Sequence, residues 1–398
     1  MIELAIFIIT YFLISVQNVR GIKLDRPAAS TVGAALTVAL GVLSLEEAVH
    51  SIDYNTIILL FSMMVLSAYF GIAGFFDYVA CKILKKAGSG RKLLLMVVVT
   101  SGFLSALFVN DTICVFMTPV VIRLALAAGM NPVPLLIALV TSANIGSAAT
   151  IIGNPQNMLI GIASGIPFTE FTVNMLPPSI VGLVLCYLLV YLIYRKEFER
   201  YSPGEIVPKV NRGLALRTAA VFALVLTLFV TEVYPIPLSA LIGAATMFVV
   251  GGVRPKEVLE RVDWTLLLLF SNLFIVMHGF EKEYGEYLIS LVHAGDSLAS
   301  SLTLSAITVV GSNLVSNVPY VMMVLPALKA IDGKLWYIVA MASTFAGNLT
   351  LIGSVANLIV AETAERYGIA INFGEYLKVG VPLTILTVLV GTIIVYYM

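Results

Sequence analysis

The chain has 398 residues, 60% of them hydrophobic and 12% charged, at a mean hydropathy of +1.01. Soluble domains carry about 25% charged residues, so an ordinary water-soluble globule is excluded. The 23 Lys+Arg cancel the 23 Asp+Glu, which excludes a polyanion-binding surface and, with it, nucleic acid as a partner.

Apolar runs separated by short polar loops point to an all-α polytopic membrane protein embedded in a lipid bilayer, since a span takes about 20 apolar residues. The first run, Ile2 to Val16, follows no basic residue and precedes Arg20, Lys23 and Arg26. That pattern marks a retained first span with its N-terminus outside, not a signal peptide. Full crossings follow at 27–43, 54–72, 133–163, 176–194 and 214–231. The segments 92–128 and 299–331 are each two short apolar arms around a polar turn, Asn110-Asp111-Thr112 and Ser316-Asn317. They predict two re-entrant hairpins beside about 10 transmembrane helices. Cys81, Cys114 and Cys186 lie far apart without a CxxC and supply neither a disulfide framework nor a thiolate metal site.

Blocks of the first half recur in order about 200 to 210 residues later. Pro27, Gly33 and Gly41 match Pro237, Gly243 and Gly251, and Asp53-Tyr54 matches Asp263-Trp264. Asn110 and Pro119 match Asn317 and Pro326. Thr150-Ile151-Ile152-Gly153 with Asn157 matches Thr350-Leu351-Ile352-Gly353 with Asn357, and Phe168 with Pro177 matches Phe373 with Pro382. Five crossings separate Pro27 from Pro237, so the second copy is upside down, the inverted-repeat plan of secondary transporters. The expected organisation is a first span and first repeat over 1–194, a cytoplasmic linker over 195–213 and a second repeat over 214–398. This topology puts every basic residue except Lys282, Lys329 and Lys334 on the cytoplasmic side. It describes a multi-pass protein of the cytoplasmic membrane with N-terminus and C-terminus both outside.

Helix breakers inside a membrane are tolerated only where the freed backbone is buried or lines a cavity. The run from Ala143 to Asn157, with Gly153-Asn154-Pro155, predicts a crossing unwound near Gly153 to Pro155, echoed by Gly353-Ser354. Free amides there suit an anion, and free carbonyls with Asn and Thr oxygens suit Na+. Candidate substrate ligands are therefore Asn110, Thr112, Asn144, Thr150, Gly153, Asn154 and Asn157, with Ser316, Asn317, Thr350, Gly353, Ser354 and Asn357 from the second copy. Close helix packing by Gly, Ser and Asn is the structural alternative. Asp111 is the carboxylate placed well inside an apolar segment, a proton carrier or Na+ ligand by type, or a helix cap. Asn110, Asp111 and Asn154 are the cation-coupling candidates, with Na+ near Asn110, Asp111, Gly153 and Asn154. No Lys or Arg is expected at the midplane, which favours a substrate of low charge. Without HExxH, GxSxG or a P-loop, no enzyme activity and no cofactor is expected, only Na+ or H+ as coupling ion.

The stretches NDTICVFMTPVVIRL from Asn110, SANIGSAATIIGNPQNMLIG from Ser142, SNVPYVMMVLPAL from Ser316 and FAGNLTLIGSVANLIVAE from Phe345 resemble the ion transporter superfamily. The branch resembled is the arsenite-permease and sodium-proton-antiporter group with its citrate-transporter-like domain. The resemblance implies two inverted repeats, each contributing scaffold helices, a hairpin and an unwound helix, and often a homodimer working by an elevator motion. The family's Ser-Asn-Thr tip is matched by Asn110 and Thr112 around Asp111, but Val318 stands where the second tip would carry Thr. The resulting expectation is a secondary active transporter of a small ionic substrate, an inorganic oxyanion or carboxylate, coupled to Na+ or H+. The alternatives are a Na+/H+ antiporter using Asp111 and an arsenite efflux permease.

Overall fold

A computed structural model describes residues 1–16, 18–19, 22–202, 207–291, 297–330 and 333–398. Arg20, residues 203–206 of the expected linker and residue 331 of the second hairpin lie outside the described residues.

Polar residues placed at helix starts set the boundaries. α1 (Ile2–Val16) leads through a two-residue antiparallel pairing, Asn18–Val19 with Ile22–Lys23, to α2 (Arg26–Ala39). Asp25 accepts the Ala28 amide at 2.9 Å, and Pro27 sits in the first turn, where its missing N–H is no loss. Ser44 and Glu47 form a capping box on the short α3 (Leu45–His50). Asp53 then caps α4 (Tyr54–Ile72) through the Asn55 and Thr56 amides. The amphipathic α5 (Phe75–Ala87) follows, and its Asp77 pairs with Arg123. The chain continues through a hairpin of α6 (Gly90–Leu107) and α7 (Asn110–Ala127), an interrupted pair α8 (Pro132–Ser147) and α9 (Pro155–Ser164), and the long α10 (Phe168–Ile193).

After α11 (Arg195–Phe198) and α12 (Arg212–Thr231) the order returns. α13 (Ile236–Val250) and the short α14 (Pro255–Leu259) precede α15 (Trp264–Leu291), which Asp263 caps through the Leu266 amide, as Asp53 caps α4. A second hairpin, α16 (Leu298–Val315) with α17 (Asn317–Lys329), a second interrupted pair, α18 (Leu335–Ala346) with α19 (Val355–Arg366), and α20 (Phe373–Tyr397) complete the chain.

Among the described residues eight helices are long and apolar enough to cross a membrane: α4, α6, α7, α10, α12, α15, α16 and α20. α1, α8, α13 and α18 are shorter apolar helices. The packing is reciprocal. α2 lies on α15 and α4 on α13; α6 lies on α8 and α16 on α18; α7 lies on α19 and α9 on α17; α10 meets its own counterpart α20. Two copies related by a pseudo-two-fold axis produce such a pattern. α8 and α18 are buried almost all round, as befits the centre of a bundle. Along α10, Val173, Leu176, Ile180, Val184, Leu188 and Leu192 form an exposed apolar stripe at helical spacing, which water would not tolerate and lipid does.

Two expectations are refined. α10 starts at Phe168, eight residues before the predicted crossing at 176. The unwound stretch is longer than Gly153 to Pro155: α8 ends at Ser147, and a single 3-10 turn, Ile151–Gly153, lies between it and α9.

α8 packs tightly on α6 at Gly146, where a Cβ would sit 2.1 Å from the Gly102 carbonyl oxygen. Gly146→Ala must push the two helices apart and should lower stability by about 1–3 kcal/mol, read as a fall in Tm of the purified protein. Gly374→Ala, with nothing within 4 Å of the added methyl, should leave Tm unchanged.

Candidate substrate and ion site

Each interruption frees backbone groups that hydrocarbon cannot satisfy, and each is closed by an asparagine on the helix that follows. Asn157 Nδ2 donates to the carbonyls of Thr150 at 3.0 Å and of Ser147 and Ala148 at 3.3 Å. Asn357 Nδ2 donates to those of Gly347 at 2.7 Å and Thr350 at 2.9 Å. Asn154 and Ser354 cap α9 and α19 by accepting the Asn157 and Ala356 amides. Gly153 has no room for a side chain, because a Cβ would lie 2.1 Å from the Ser147 carbonyl oxygen.

These staples orient a relay of amides. A backbone carbonyl only accepts, so Asn357 turns its Nδ2 to the break and its Oδ1 accepts from Asn144 Nδ2 at 3.0 Å. Asn144 Nδ2 also donates to Asn348 Oδ1 at 2.9 Å, which leaves Asn144 Oδ1 to accept from Asn110 Nδ2 at 3.1 Å. Asn110 Oδ1 is then left over, buried and without a hydrogen-bond partner, and at the second tip Asn317 Oδ1 is left the same way. The two residues are only 6% and 9% exposed. Folded proteins seldom leave buried polar atoms unpaired; these two acceptors stand at matched positions of the two copies and are open to a hydroxyl or a cation.

Both tips line one central cavity. Its polar wall is built from helix starts: Asn110 and Asp111 of α7, Pro155 and Gln156 of α9, Ser316 and Asn317 at α17, and Ser354 and Val355 at α19. Four helix N-termini thus converge, each equivalent to about half a positive charge. α7 and α17 have no side-chain cap, so their first-turn amides remain free for an acceptor such as an oxyanion. Ser316 turns the second tip with φ +78 and ψ 156, a conformation that costs a non-glycine residue about 1–3 kcal/mol and clusters at functional sites. The facing wall is apolar, formed by Ile14 of α1 and by Leu266, Leu269, Phe270 and Leu273 of α15, with Arg26 of α2 as its one charge.

The cavity measures about 40 Å³ by the water centres it admits, room for about three waters at roughly 10–15 Å³ each. A wider cavity of about 240 Å³ by the same measure shares Arg26, Leu266, Leu269 and Val355 with it and carries Asp25, Asp263 and Glu362.

Of the residues expected at the site, Asn110, Asp111, Ser316, Asn317 and Ser354 line the cavity. Asn144, Asn154, Asn157 and Asn357 are buried behind it and bonded to protein groups. Thr150 donates to the Ala106 carbonyl at 2.6 Å, and Thr350 lies 3.5 Å from Asn313 Oδ1. Gly153 and Gly353 belong to the interruptions, and the half-buried Thr112 does not line the cavity. Gly153 and Asn154 therefore do not share a cavity with Asn110 and Asp111.

Two residues escaped the sequence reading. Gln156 lines the cavity from the first turn of α9. Arg26, assigned to a cytoplasmic loop and not to the site, lines it as well. α2 begins at Arg26, level with the join between the two cavities, and the residue lines both. The available signal was a break in the repeat: Ile236 precedes Pro237 where Arg26 precedes Pro27.

Residues 9–346 match the family described as citrate transporter. The chain belongs to this family. The transporter is 30% identical to the silicon efflux transporter of Oryza sativa subsp. japonica, over 93% of this chain and 92% of that one. It is 28% identical to the putative transporter arsB of Dictyostelium discoideum, over 98% and 91%, and 29% identical to a 46 kDa membrane protein of Mycobacterium leprae, over 97% and 96%. Its fold is similar to that of the Alcanivorax borkumensis YdaH transporter, with TM-score 0.59 and 15% identity over 99% of this chain and 96% of that one. The transporter is thus a multi-pass membrane protein and not an enzyme.

Asn357→Ala should orphan the Gly347 carbonyl and one Asn144 proton and leave the Thr350 carbonyl with the Gly353 amide alone, costing about 1–3 kcal/mol for each group left unpaired and lowering Tm. Asn317→Ala, which removes an amide oxygen that has no partner, should lower Tm far less.

Proposed function

We propose that the protein is a secondary active transporter of the cytoplasmic membrane that carries a small oxyacid or its anion, coupled to Na+ or H+ at Asp111. The observation that carries this reading is the mixed chemistry of one small cavity. Uncapped helix starts offer donors to a negative oxygen, while Asn110 Oδ1, Asn317 Oδ1 and the Asp111 carboxylate offer acceptors to hydroxyls or a cation. A compact centre bearing both oxygens and hydroxyls uses both sets. Room for about three waters suits an inorganic oxyacid of arsenic or silicon, and is tight for citrate. The silicon efflux relative agrees with that class.

The distribution of polarity supports an elevator. The polar wall stands on the hairpins and interrupted helices, and the facing wall on α1 and α15 is apolar apart from Arg26, so the former can slide along the latter without unpairing buried polar groups. In this reading the repeats occupy 1–194 and 214–398, the scaffold helices offer the surface for a homodimer, and both termini lie outside. Asp25, Asp263 and Glu362 at the wider cavity favour a second reading, cation exchange at Asp111 without an oxyacid.

Proteoliposomes separate the two. Concentrative uptake of arsenite or silicate driven by a cation gradient is expected. Asp111→Asn should abolish its dependence on that gradient, and Asn110→Ala and Asn317→Ala should each raise KM at least tenfold, equivalent to about 1.4 kcal/mol. Na+-dependent proton flux that no oxyacid alters would instead establish the exchanger.

A further inference from the structure

Arg26 stands alone in its surroundings. It is the charged residue common to the central and the wider cavity. Its Nε is buried with no hydrogen-bond partner, and among the described residues no carboxylate lies within the 4.0 Å of an ion pair with it. It shares the central cavity with Asp111 and the wider cavity with Asp263 and Glu362, near enough for these charges to act on one another. A half-buried arginine whose Nε has no partner, and which shares one cavity with Asp111 and the other with Glu362, has two places to go.

The repeat gives a second, independent observation. The first copy carries Asp111 after Asn110 and Arg26 before Pro27; the second carries Val318 after Asn317 and Ile236 before Pro237. Both charges are absent from the second copy at the matched positions, and both are replaced by apolar residues. Two charges that occur in one copy and face the same cavity behave as one device.

We propose that Arg26 is a tethered cation that competes with the coupling ion for Asp111. This rests on the reading of Asp111 as the coupling residue. With Asp111 unoccupied, Arg26 neutralises it across the cavity; when Na+ or a proton arrives, Arg26 is released toward Glu362 and Asp263 at the wider cavity. Because Arg26 belongs to the apolar wall and Asp111 to the hairpin tip, the attraction acts only in the register of the two walls seen here. An empty site is held in that register, and a loaded one is freed from it.

Competition predicts a gain, which loss of a merely structural arginine does not produce. In the full-length protein in detergent, Na+ and pH titrations followed by thermal stability should show Arg26→Gln binding Na+ at least fivefold more tightly, or, if the ion is H+, shifting its protonation midpoint upward. Arg26→Lys should stay near the parent protein. Arg26→Gln combined with Asp111→Asn should behave as Asp111→Asn alone. Arg26→Met, which keeps the aliphatic stem beside Leu266 and Leu269, serves if the Gln variant does not fold. Unchanged or weaker cation binding in Arg26→Gln and Arg26→Met overturns the proposal while leaving Asp111 as coupling residue. Full cation dependence in Asp111→Asn overturns that underlying reading, and the proposal with it.

Discussion

Inside a bilayer every backbone polar group must find a partner within the protein, and this fold depends on how it meets that requirement at two places where it abandons the helix. The interruptions between α8 and α9 and between α18 and α19 expose carbonyls that take side-chain donors in place of the helical ladder. In each copy one asparagine reaches back seven residues to Thr150 or Thr350, and a second, Asn154 or Asn313, meets the end of the preceding helix. Freed from continuous winding, the chain can aim the starts of α9 and α19 at a common point. The hairpins add the starts of α7 and α17. Four helix starts are thereby brought to one cavity with little recourse to basic side chains.

The same asparagines tie the two halves together. The relay from Asn357 through Asn144 to Asn110 runs from the interruption of the second copy to the tip of the first. Thr344 of α18 meets Asn154 and Gln156 in the opposite direction. The direction of each amide is dictated by carbonyls that can only accept, so the outward-facing oxygen of Asn110 follows from a fixed anchor 247 residues away in sequence. Neither copy could present its part of the cavity alone. On this symmetric frame the charges are asymmetric: Asp111 and Arg26 have apolar counterparts, Val318 and Ile236. The architecture supplies the tips and interruptions twice over, and the first copy alone supplies the two charges that line the central cavity.

Much of this was legible in the chain. Apolar run lengths gave the all-helical membrane class, because lipid permits little else. The recurrence of Asp53 as Asp263 and of Asn157 as Asn357 was visible as self-similarity; that the first pair caps helices and the second closes the interruptions emerged only in the structure. The hairpin tips were visible as polar turns in apolar surroundings. What each polar residue does was less legible. Asn144, Asn157 and Asn357 look like ligands in sequence, yet they spend their donors on the protein; Asn110 and Asn317, of the same residue type, keep an acceptor free.

The amino-acid sequence by itself determined the membrane class, the two copies and the segments that must unwind, since these follow from hydrophobicity, helix-breaking residues and self-similarity along one chain. The tertiary structure alone decided which tips meet, which asparagine faces the cavity and that Arg26 reaches it. Those outcomes depend on contacts such as α7 with α19 and on a helix start lying beside a distant hairpin. The electrically neutral composition conceals that pairing, because a net charge of zero records how many charges there are and nothing of which two share a cavity.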